Sequence, residues 1–247
     1  MSQNGFLIVN QLLDPREVDL LRDDIERFEK SVPPEYEGDV IRGDQGLVNR
    51  ISHPLFHSKI CRHTYGNPRV LELAYDFYGD DLVPFAESVA TKHPGNGAAF
   101  GWHQDSTCKT GNVSERGLNI GIYLHDSTTD NGCLHVVPGS HRQGRIDVAG
   151  LVAKYGFRLP GAIPAPVKAG DAIVHGRTLL HGSPENHSAT KRITYYVGFH
   201  QRQSIEGVHD ESAILAKQQL LSLAIEERTD SGLFPNEESF TGIPLPD

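Results

Sequence analysis

The sequence predicts a mainly β protein with flanking helices, folded as a double-stranded β-helix of the jelly-roll, cupin-like type. Two observations predict this class. Helical patterns are concentrated in the first third of the chain, and many short β-rich segments follow, separated by turns of Gly, Pro and Asn. Strands of this kind close into a jelly roll, and helices then pack on one side of it.

The N-terminal part begins with a short apolar strand over residues 5–9, followed by a helix. The helix is expected to start at Asp14 and Pro15, since an acidic N-cap followed by proline at the first helical position is a common start signal. A second helical pattern covers residues 54–78. Residues 31–46 between them are rich in Pro, Gly and charge, which predicts a loop.

The barrel strands are predicted from runs of apolar and β-branched residues at 82–92, 118–124, 133–137, 172–174 and 192–197. Side chains alternate between the two faces of a strand. Alternation within the first run leaves two sets that could line a cavity, namely Phe85, Glu87 and Val89, or Ala86, Ser88 and Ala90. The sequence does not choose between these sets.

A chain of 247 residues is long enough for one large β domain. We expect a single domain over residues 1–247, with a helical N-terminal part (12–80), a β-barrel core (82–202), and a C-terminal helix and tail (209–247). Apolar residues recur at helical spacing over 209–228. The tail from residue 229 is polar and punctuated by Gly and Pro, so it is expected to be loosely held.

The net charge of the chain limits which binding partners are expected. The chain has 23 basic and 32 acidic residues, for a net charge of -9. Binding to a phosphate backbone depends on clusters of Lys and Arg, so nucleic acid is not an expected partner.

The cysteine content and the N-terminus indicate a compartment. Cys61, Cys108 and Cys133 are too few and too scattered for a disulfide framework or a thiolate zinc site. The N-terminus lacks a secretion signal, and the chain has no apolar run long enough to span a membrane. These features predict a cytoplasmic protein without a membrane partner.

The segment Gly101 to Ser106 carries the first candidate metal ligands, His103 and Asp105. Side chains two residues apart on an extended strand point to the same side, so an imidazole and a carboxylate can converge on one ion. That pair supplies two of the three ligands of a facial triad for non-haem Fe(II). About one or two His-x-acid pairs are expected by chance in this composition, so a third ligand is needed.

His181 is the candidate third ligand. It lies in the stretch Leu179 to Ser183, which precedes a turn region and the strand that begins at Arg192. If the strand that begins at Arg192 folds back beside the strand predicted at 172–174, Arg192 can present its planar fork of donors to a carboxylate near the metal. Two other histidines in strands, His135 and His175, are interpreted as satisfied barrel residues rather than ligands.

Taken together, three motifs resemble the phytanoyl-CoA dioxygenase (PhyH)-like family of Fe(II)/2-oxoglutarate-dependent oxygenases. They occur in the family's order with similar gaps, and the resemblance covers roughly residues 5–202. The motifs are Gly101-Trp102-His103-Gln104-Asp105, the segment from Asn131 to His141, and Gly170-Asp171 followed by His181-Gly182-Ser183 and Arg192.

The resemblance implies iron bound by His103, Asp105 and His181, with 2-oxoglutarate and O2 as co-substrates. Arg192, helped by Ser183, would hold the distal carboxylate of 2-oxoglutarate. Asn119 either donates a hydrogen bond to this co-substrate or is a structural amide. The implied reaction releases succinate and CO2 and oxidises a small molecule. Because related halogenases lack the carboxylate ligand, Asp105 favours hydroxylation, or an allied desaturation or ring closure, over halogenation.

Two other functions stay open from the sequence. A cupin-type dioxygenase or isomerase would use the same triad without 2-oxoglutarate, but it has no need for Arg192 and Ser183. A noncatalytic binding module on the same barrel has no need for all the site residues.

The substrate and the oligomeric state are not determined by the sequence. Relatives often have tryptophan where this chain has Gly121, so the pocket shape cannot be transferred from them. A small anionic metabolite is suggested only by Arg50, Arg142 and Arg145.

Overall fold

The computed structural model describes residues 1–95, 99–105, 116–206 and 209–242. Ser106, Cys108 and the last five residues of the predicted tail lie outside these ranges. The two described cysteines, Cys61 and Cys133, are both buried and unpaired.

A larger antiparallel sheet forms one wall of the barrel. Its seven described strands run in the order β1-β9-β6-β11-β4-β3-β2. Their bounds are Phe6–Val9 (β1), Val40–Arg42 (β2), Val48–Ser52 (β3), Leu82–Lys92 (β4), Gly117–Tyr123 (β6), Ala172–Gly176 (β9) and Arg192–Gln201 (β11).

A smaller antiparallel sheet faces it, with four described strands in the order β5-β10-β7-β8. Their bounds are Phe100–His103 (β5), Leu134–Val136 (β7), Ile163–Ala165 (β8) and His181–Ser183 (β10). Two facing antiparallel sheets with flanking helices confirm the predicted fold class.

The helices are α1 (Pro15–Lys30), α2 (Pro54–His57), α3 (Lys59–Tyr65), α4 (Pro68–Tyr78), α5 (Val148–Tyr155), α6 (Arg202–Ile205) and α7 (Glu211–Asp230). The predicted start of α1 is confirmed, since the Asp14 side chain accepts a hydrogen bond from the Glu17 backbone nitrogen. No described helix has both the length and the apolar character to cross a membrane.

The larger sheet has one apolar face and one polar face. Along β11, Ile193, Tyr195, Val197 and Phe199 belong to the main core, together with apolar residues of α1, α3, α4 and α7. The alternate residues Arg192 and Tyr196 line a cavity on the opposite face. Strand alternation therefore places the helices outside the barrel and the polar residues inside it.

The structure departs from the sequence prediction in several segments, including β3 and β8, which were not predicted. Residues 31–46, predicted as a loop, contain a short 3₁₀ turn and β2, which pairs with β3. Helix α5 was not predicted. The described part of the tail is not loosely held, because Glu237 forms an ion pair with Arg228 and Phe240 packs against Tyr75.

A buried ion-pair network joins α7 to the N-terminal helices. Arg228 donates from Nη1 to Oε1 of Glu17 at 2.7 Å and to the backbone oxygen of His63 at 2.8 Å. Asn67 donates to the other oxygen of Glu17 at 2.9 Å. The side chains of Arg228 and Glu17 are only 3% and 4% exposed, so Glu17 depends on Arg228 to compensate its charge, while Arg228 also pairs with Glu237.

We expect Arg228→Ala to lower the free energy of unfolding by about 3–5 kcal/mol, because it leaves the Glu17 carboxylate buried without its charge partner. Arg27→Ala is the matched control, since Arg27 pairs with Asp24 at an exposed position and its loss should cost less than about 1 kcal/mol. Denaturant titration of both variants measures this. Equal destabilisation of the two variants would show that the buried Glu17 carboxylate does not depend on Arg228.

Candidate active site

The pairing of β5 with β10 brings two predicted ligands together. His103 and His181 are direct cross-strand partners at the ends of these strands. Gly182, the next residue of β10, packs against Trp102 of β5, where a Cβ would lie 3.1 Å from the Trp102 backbone nitrogen. A glycine at this position lets the two strands approach closely enough for both imidazoles to reach one point.

Gln104 holds the backbone between His103 and Asp105. Its side-chain nitrogen donates to the backbone oxygens of Gly144 at 2.9 Å and Thr178 at 2.7 Å. Its side-chain oxygen accepts from the Ile146 backbone nitrogen at 3.0 Å. Both donors and the oxygen of this amide are thus held by backbone groups of other segments, so Gln104 fixes the direction of its two neighbours.

The three predicted ligands His103, Asp105 and His181 converge. Their candidate ligand atoms all lie within 4.8 Å of one another. Oδ1 of Asp105 lies 3.4 Å from Nε2 of His103 and 3.8 Å from Nε2 of His181. Two imidazole nitrogens and one carboxylate oxygen in this arrangement match the ligand set of a facial triad.

Backbone carbonyls select the nitrogen that each histidine presents. Nδ1 of His103 lies 2.7 Å from the Gly101 oxygen, and Nδ1 of His181 lies 3.0 Å from the Leu179 oxygen. A carbonyl can only accept, so Nδ1 carries a proton in both rings. In the neutral form of each ring, Nε2 is then the unprotonated nitrogen that a metal ion requires.

The electrostatics of the site favour a neutral His181 and an ionised Asp105. Burial lowers the pKa of His181 to about 3. Burial by itself would raise the pKa of Asp105, but the nearby His181 and the hydrogen bond from His103 hold it well below its usual range. For His103, burial is outweighed by the hydrogen bond with Asp105 and its charge, so the pKa lies above its ordinary value.

Asn119 and His175, from β6 and β9 of the larger sheet, contact the outer side of Asp105. The Asn119 amide donates to Oδ2 at 2.7 Å, and Nδ1 of His175 lies 3.8 Å from the same oxygen. The two residues are cross-strand partners. Asn119 was predicted to be either a co-substrate contact or a structural amide, and its amide nitrogen here orients Asp105.

Arg192 is buried at the start of β11, and its hydrogen-bond partners among the described residues are hydroxyl groups. Its Nη2 donates to Oγ of Ser183 at 3.3 Å and its Nη1 donates to Oγ1 of Thr194 at 3.4 Å. Nε has no partner. Within the described ranges, no carboxylate oxygen lies within 4.0 Å of this guanidinium.

One cavity of about 330 Å³ is bordered by both the predicted metal ligands and the predicted co-substrate residues. Its lining includes His103, Asp105 and His181 as well as Arg192, Ser183 and Asn119. On β4 it is lined by Ala86, Ser88 and Ala90, whereas Val89 lies in the main core. Phe85 and Glu87 also border it. Phe85 lies where the pairing of β4 with β11 shifts register, and such a bulge changes the direction of a side chain.

The space that Gly121 leaves is filled by Tyr196. The two residues are cross-strand partners, and a Cβ at Gly121 would lie 2.7 Å from Cε1 of the Tyr196 ring. Glycine here therefore makes room for an aromatic ring from the neighbouring strand rather than enlarging the pocket.

The sequence model of the phytanoyl-CoA dioxygenase (PhyH) family matches residues 1–194. The chain belongs to the PhyH family. Membership makes it one of the Fe(II)/2-oxoglutarate-dependent dioxygenases and confirms the enzyme class that the sequence motifs predicted.

Individual relatives agree with this assignment. The chain is 24% identical over 227 residues to L-proline trans-4-hydroxylase from Streptomyces griseoviridis, a match that covers 81% of this chain and 84% of that protein. It is 29% identical over 184 residues to mouse (Mus musculus) phytanoyl-CoA dioxygenase domain-containing protein 1, covering 69% of this chain and 62% of that protein.

The fold is shared with a solved structure, that of EctD from S. alaskensis with 2-oxoglutarate and 5-hydroxyectoine. The TM-score is 0.70 at 20% sequence identity, and the match covers 82% of this chain and 74% of that one.

Pattern reading missed several residues of this PhyH-family site. His175 was interpreted as a barrel residue, yet it lies beside the triad, with its ring 4.4 Å from that of His181. Arg177 and Tyr196 line the cavity and were not singled out. The spacing of His175 from His181 on consecutive strands was the one signal available, and it has meaning only once the strand register is known.

We expect Asn119→Ala to weaken divalent metal binding by about 10–100-fold, because the PhyH site loses the donor that orients Asp105. Titration of the metal-free protein with Co(II) measures the affinity, and Asn4→Ala, at an exposed position, is the matched control. Unchanged affinity in a folded Asn119→Ala protein would show that Asp105 is held by other contacts.

Proposed function

We propose that this PhyH-family enzyme hydroxylates a small-molecule metabolite, with conversion of 2-oxoglutarate and O2 to succinate and CO2. One observation carries the proposal. A single cavity contains both a converged set of two histidines and one carboxylate and a buried arginine without a carboxylate partner in the described ranges. The first is suited to iron, and the second to the far end of a keto-diacid.

The ligand set fits Fe(II) on the chemistry of its donors. Nδ1 of each imidazole faces a backbone carbonyl, and Asp105 stays ionised, so the carboxylate and Nε2 of His181 are ready to bind, and Nε2 of His103 binds once it has released its proton. Three protein ligands leave the remaining positions of an octahedron for small molecules. A structural zinc site, by contrast, has four protein ligands in most cases.

The surroundings of Arg192 fit the distal carboxylate of 2-oxoglutarate. A guanidinium presents a planar fork of donors that pairs with two carboxylate oxygens at once. The Ser183 hydroxyl already contacts Arg192 and donates to the Gly132 backbone oxygen at 2.9 Å. We infer that Arg192 and Ser183 orient the co-substrate. The predicted contact between Asn119 and 2-oxoglutarate stays a prediction beside its role in holding Asp105.

When bound, iron and 2-oxoglutarate supply the oxidising chemistry. The chain itself binds and orients the reactants. His103, Asp105 and His181 fix the position of the reacting centre, Arg192 fixes the far end of the co-substrate, and the barrel wall limits access of water. The carboxylate of Asp105 supports hydroxylation, or desaturation or ring closure, over halogenation.

A small-molecule substrate is supported by the relatives, which include an L-proline hydroxylase and an ectoine dioxygenase. We also infer that residues 1–247 form one oxygenase domain. In support, the N-terminal strand β1 pairs with β9, and α7 packs against α3 and β4.

We expect His103→Ala and Asp105→Ala each to abolish substrate-dependent succinate formation, because each removes a metal ligand. His187→Ala, which changes an exposed histidine, is the matched control and should retain activity. Succinate is measured after aerobic incubation with Fe(II), 2-oxoglutarate and candidate metabolites. Oxygen consumption that proceeds equally without 2-oxoglutarate would favour a cupin-type enzyme instead.

Arg192→Ala should chiefly raise the 2-oxoglutarate concentration required. Loss of one partner of a buried charged hydrogen bond costs about 2 kcal/mol or more, which corresponds to a rise in the apparent KM of roughly thirtyfold. Arg27→Ala is the control, because Arg27 is exposed and does not border the cavity. An unchanged KM for 2-oxoglutarate in Arg192→Ala would place the co-substrate elsewhere.

A further inference from the structure

The cavity lining contains more arginine side chains than the binding of 2-oxoglutarate would use. Two described carboxylates border it, Asp105 and Glu87. Asp105 belongs to the metal site, and both oxygens of Glu87 accept hydrogen bonds from Nζ of Lys217 on α7, at 2.6 and 2.7 Å. Arg192 is assigned to the co-substrate. Two further arginines, Arg50 and Arg177, also line the cavity and have no such assignment.

Arg177 is positioned beside the triad. Its Nη2 donates to the backbone oxygen of Asp105 at 3.3 Å, and its guanidinium lies over the Phe85 ring, 5.8 Å from the ring centre. Nε is buried without a hydrogen-bond partner. Among the described residues, no carboxylate oxygen lies within 4.0 Å of the Arg177 guanidinium.

The fold fixes the direction from which Arg177 approaches. A Cβ at Gly117 would lie 2.6 Å from Cδ of Arg177, so the aliphatic stem packs on β6 at this glycine. Gly117 pairs with His200 near the end of β11, whereas Arg192 is the first residue of that strand. A strand of ten residues is roughly 30 Å long. Arg177 and Arg192 therefore enter the barrel from opposite ends.

Arg50 lies on β3, where it pairs with Ala90 of β4. It is exposed, and it borders both the main cavity and a neighbouring hollow of about 370 Å³ that also contacts Phe85. Within the described ranges Arg50 has no carboxylate within 4.0 Å. It thus adds a second positive charge at the entrance, on the side of the cavity where Phe85 lies.

We propose that the prime substrate is a small carboxylic acid whose carboxylate is bound by Arg177, with Arg50 at the rim. This inference rests on the proposed function, because it assumes that Arg192 is occupied by 2-oxoglutarate. Bidentate pairing with Arg177 places one end of the substrate next to Asp105, so an adjacent carbon faces the metal site. The Phe85 ring packs on the guanidinium and limits its movement.

The test compares carboxylic acids with their uncharged counterparts. The purified protein is loaded anaerobically with Fe(II) and 2-oxoglutarate, and formation of the metal-to-ligand absorption band is recorded first. Straight-chain acids from acetate to octanoate, together with benzoate and phenylacetate, are then titrated calorimetrically beside their primary amides. At least one acid should bind about tenfold or more tightly than its amide, since a hydrogen bond to a charged group is the stronger kind.

Variants assign that preference to one side chain. In Arg177→Gln the preference for acid over amide should disappear, and in Arg27→Gln, at an exposed position on α1 outside the cavity lining, it should remain as in the unmodified protein. Arg177→Lys keeps a charge but loses the planar fork, so it should retain a reduced preference and serves if the glutamine variant does not fold. If Arg177 only positions Asp105, the acid and the amide will weaken together in Arg177→Gln.

The outcomes separate this inference from the proposed function. The carboxylate site is overturned if the absorption band forms but no acid binds more tightly than its amide. It is also overturned if the preference for an acid survives in Arg177→Gln. Either result leaves the oxygenase proposal standing. Absence of the band in the unmodified protein overturns the co-substrate assignment, and with it the premise of the inference.

Discussion

The site depends on the antiparallel pairing of β5 with β10. This pairing sets His103 opposite His181 and so brings together two residues that are far apart in sequence. The smaller sheet holds the histidines, but the carboxylate of Asp105 is oriented from the larger sheet by the Asn119 amide at 2.7 Å. The candidate metal site therefore lies between the two sheets and requires both to be in register.

The same strands that position the site also form the hydrophobic core. On β11 and β6, one set of alternating residues packs under the helices, and the other set faces the barrel interior. Burial of the apolar set stabilises the sheet, since removing apolar surface from water is the dominant favourable contribution to folding. A one-residue shift of either strand would exchange the two faces and remove both the core and the site.

Charge inside the barrel is distributed so that Arg192 can act as an anion-binding group. Lys92 pairs with Arg192 across β4 and β11, and its Nζ donates to the Ser183 backbone oxygen at 3.2 Å. Burial, together with the charge of Arg192, lowers the pKa of Lys92 to about 6. This shift favours the uncharged amine of Lys92 and so reduces the positive charge beside the Arg192 guanidinium.

The sequence by itself determined the class of fold, the start of α1, the triad His103, Asp105 and His181, and the proposal of Arg192 as the co-substrate residue. Each of these depends on local patterns, such as alternation, capping and short motif spacing. Only the tertiary structure decided that His175 and Arg177 lie beside the triad, that Tyr196 fills the space at Gly121, and that the tail packs through Glu237. Those contacts join residues on different strands and helices, and strand register, bulges and helix packing set their distances. A linear sequence records none of these quantities, because each one arises only when separate segments meet.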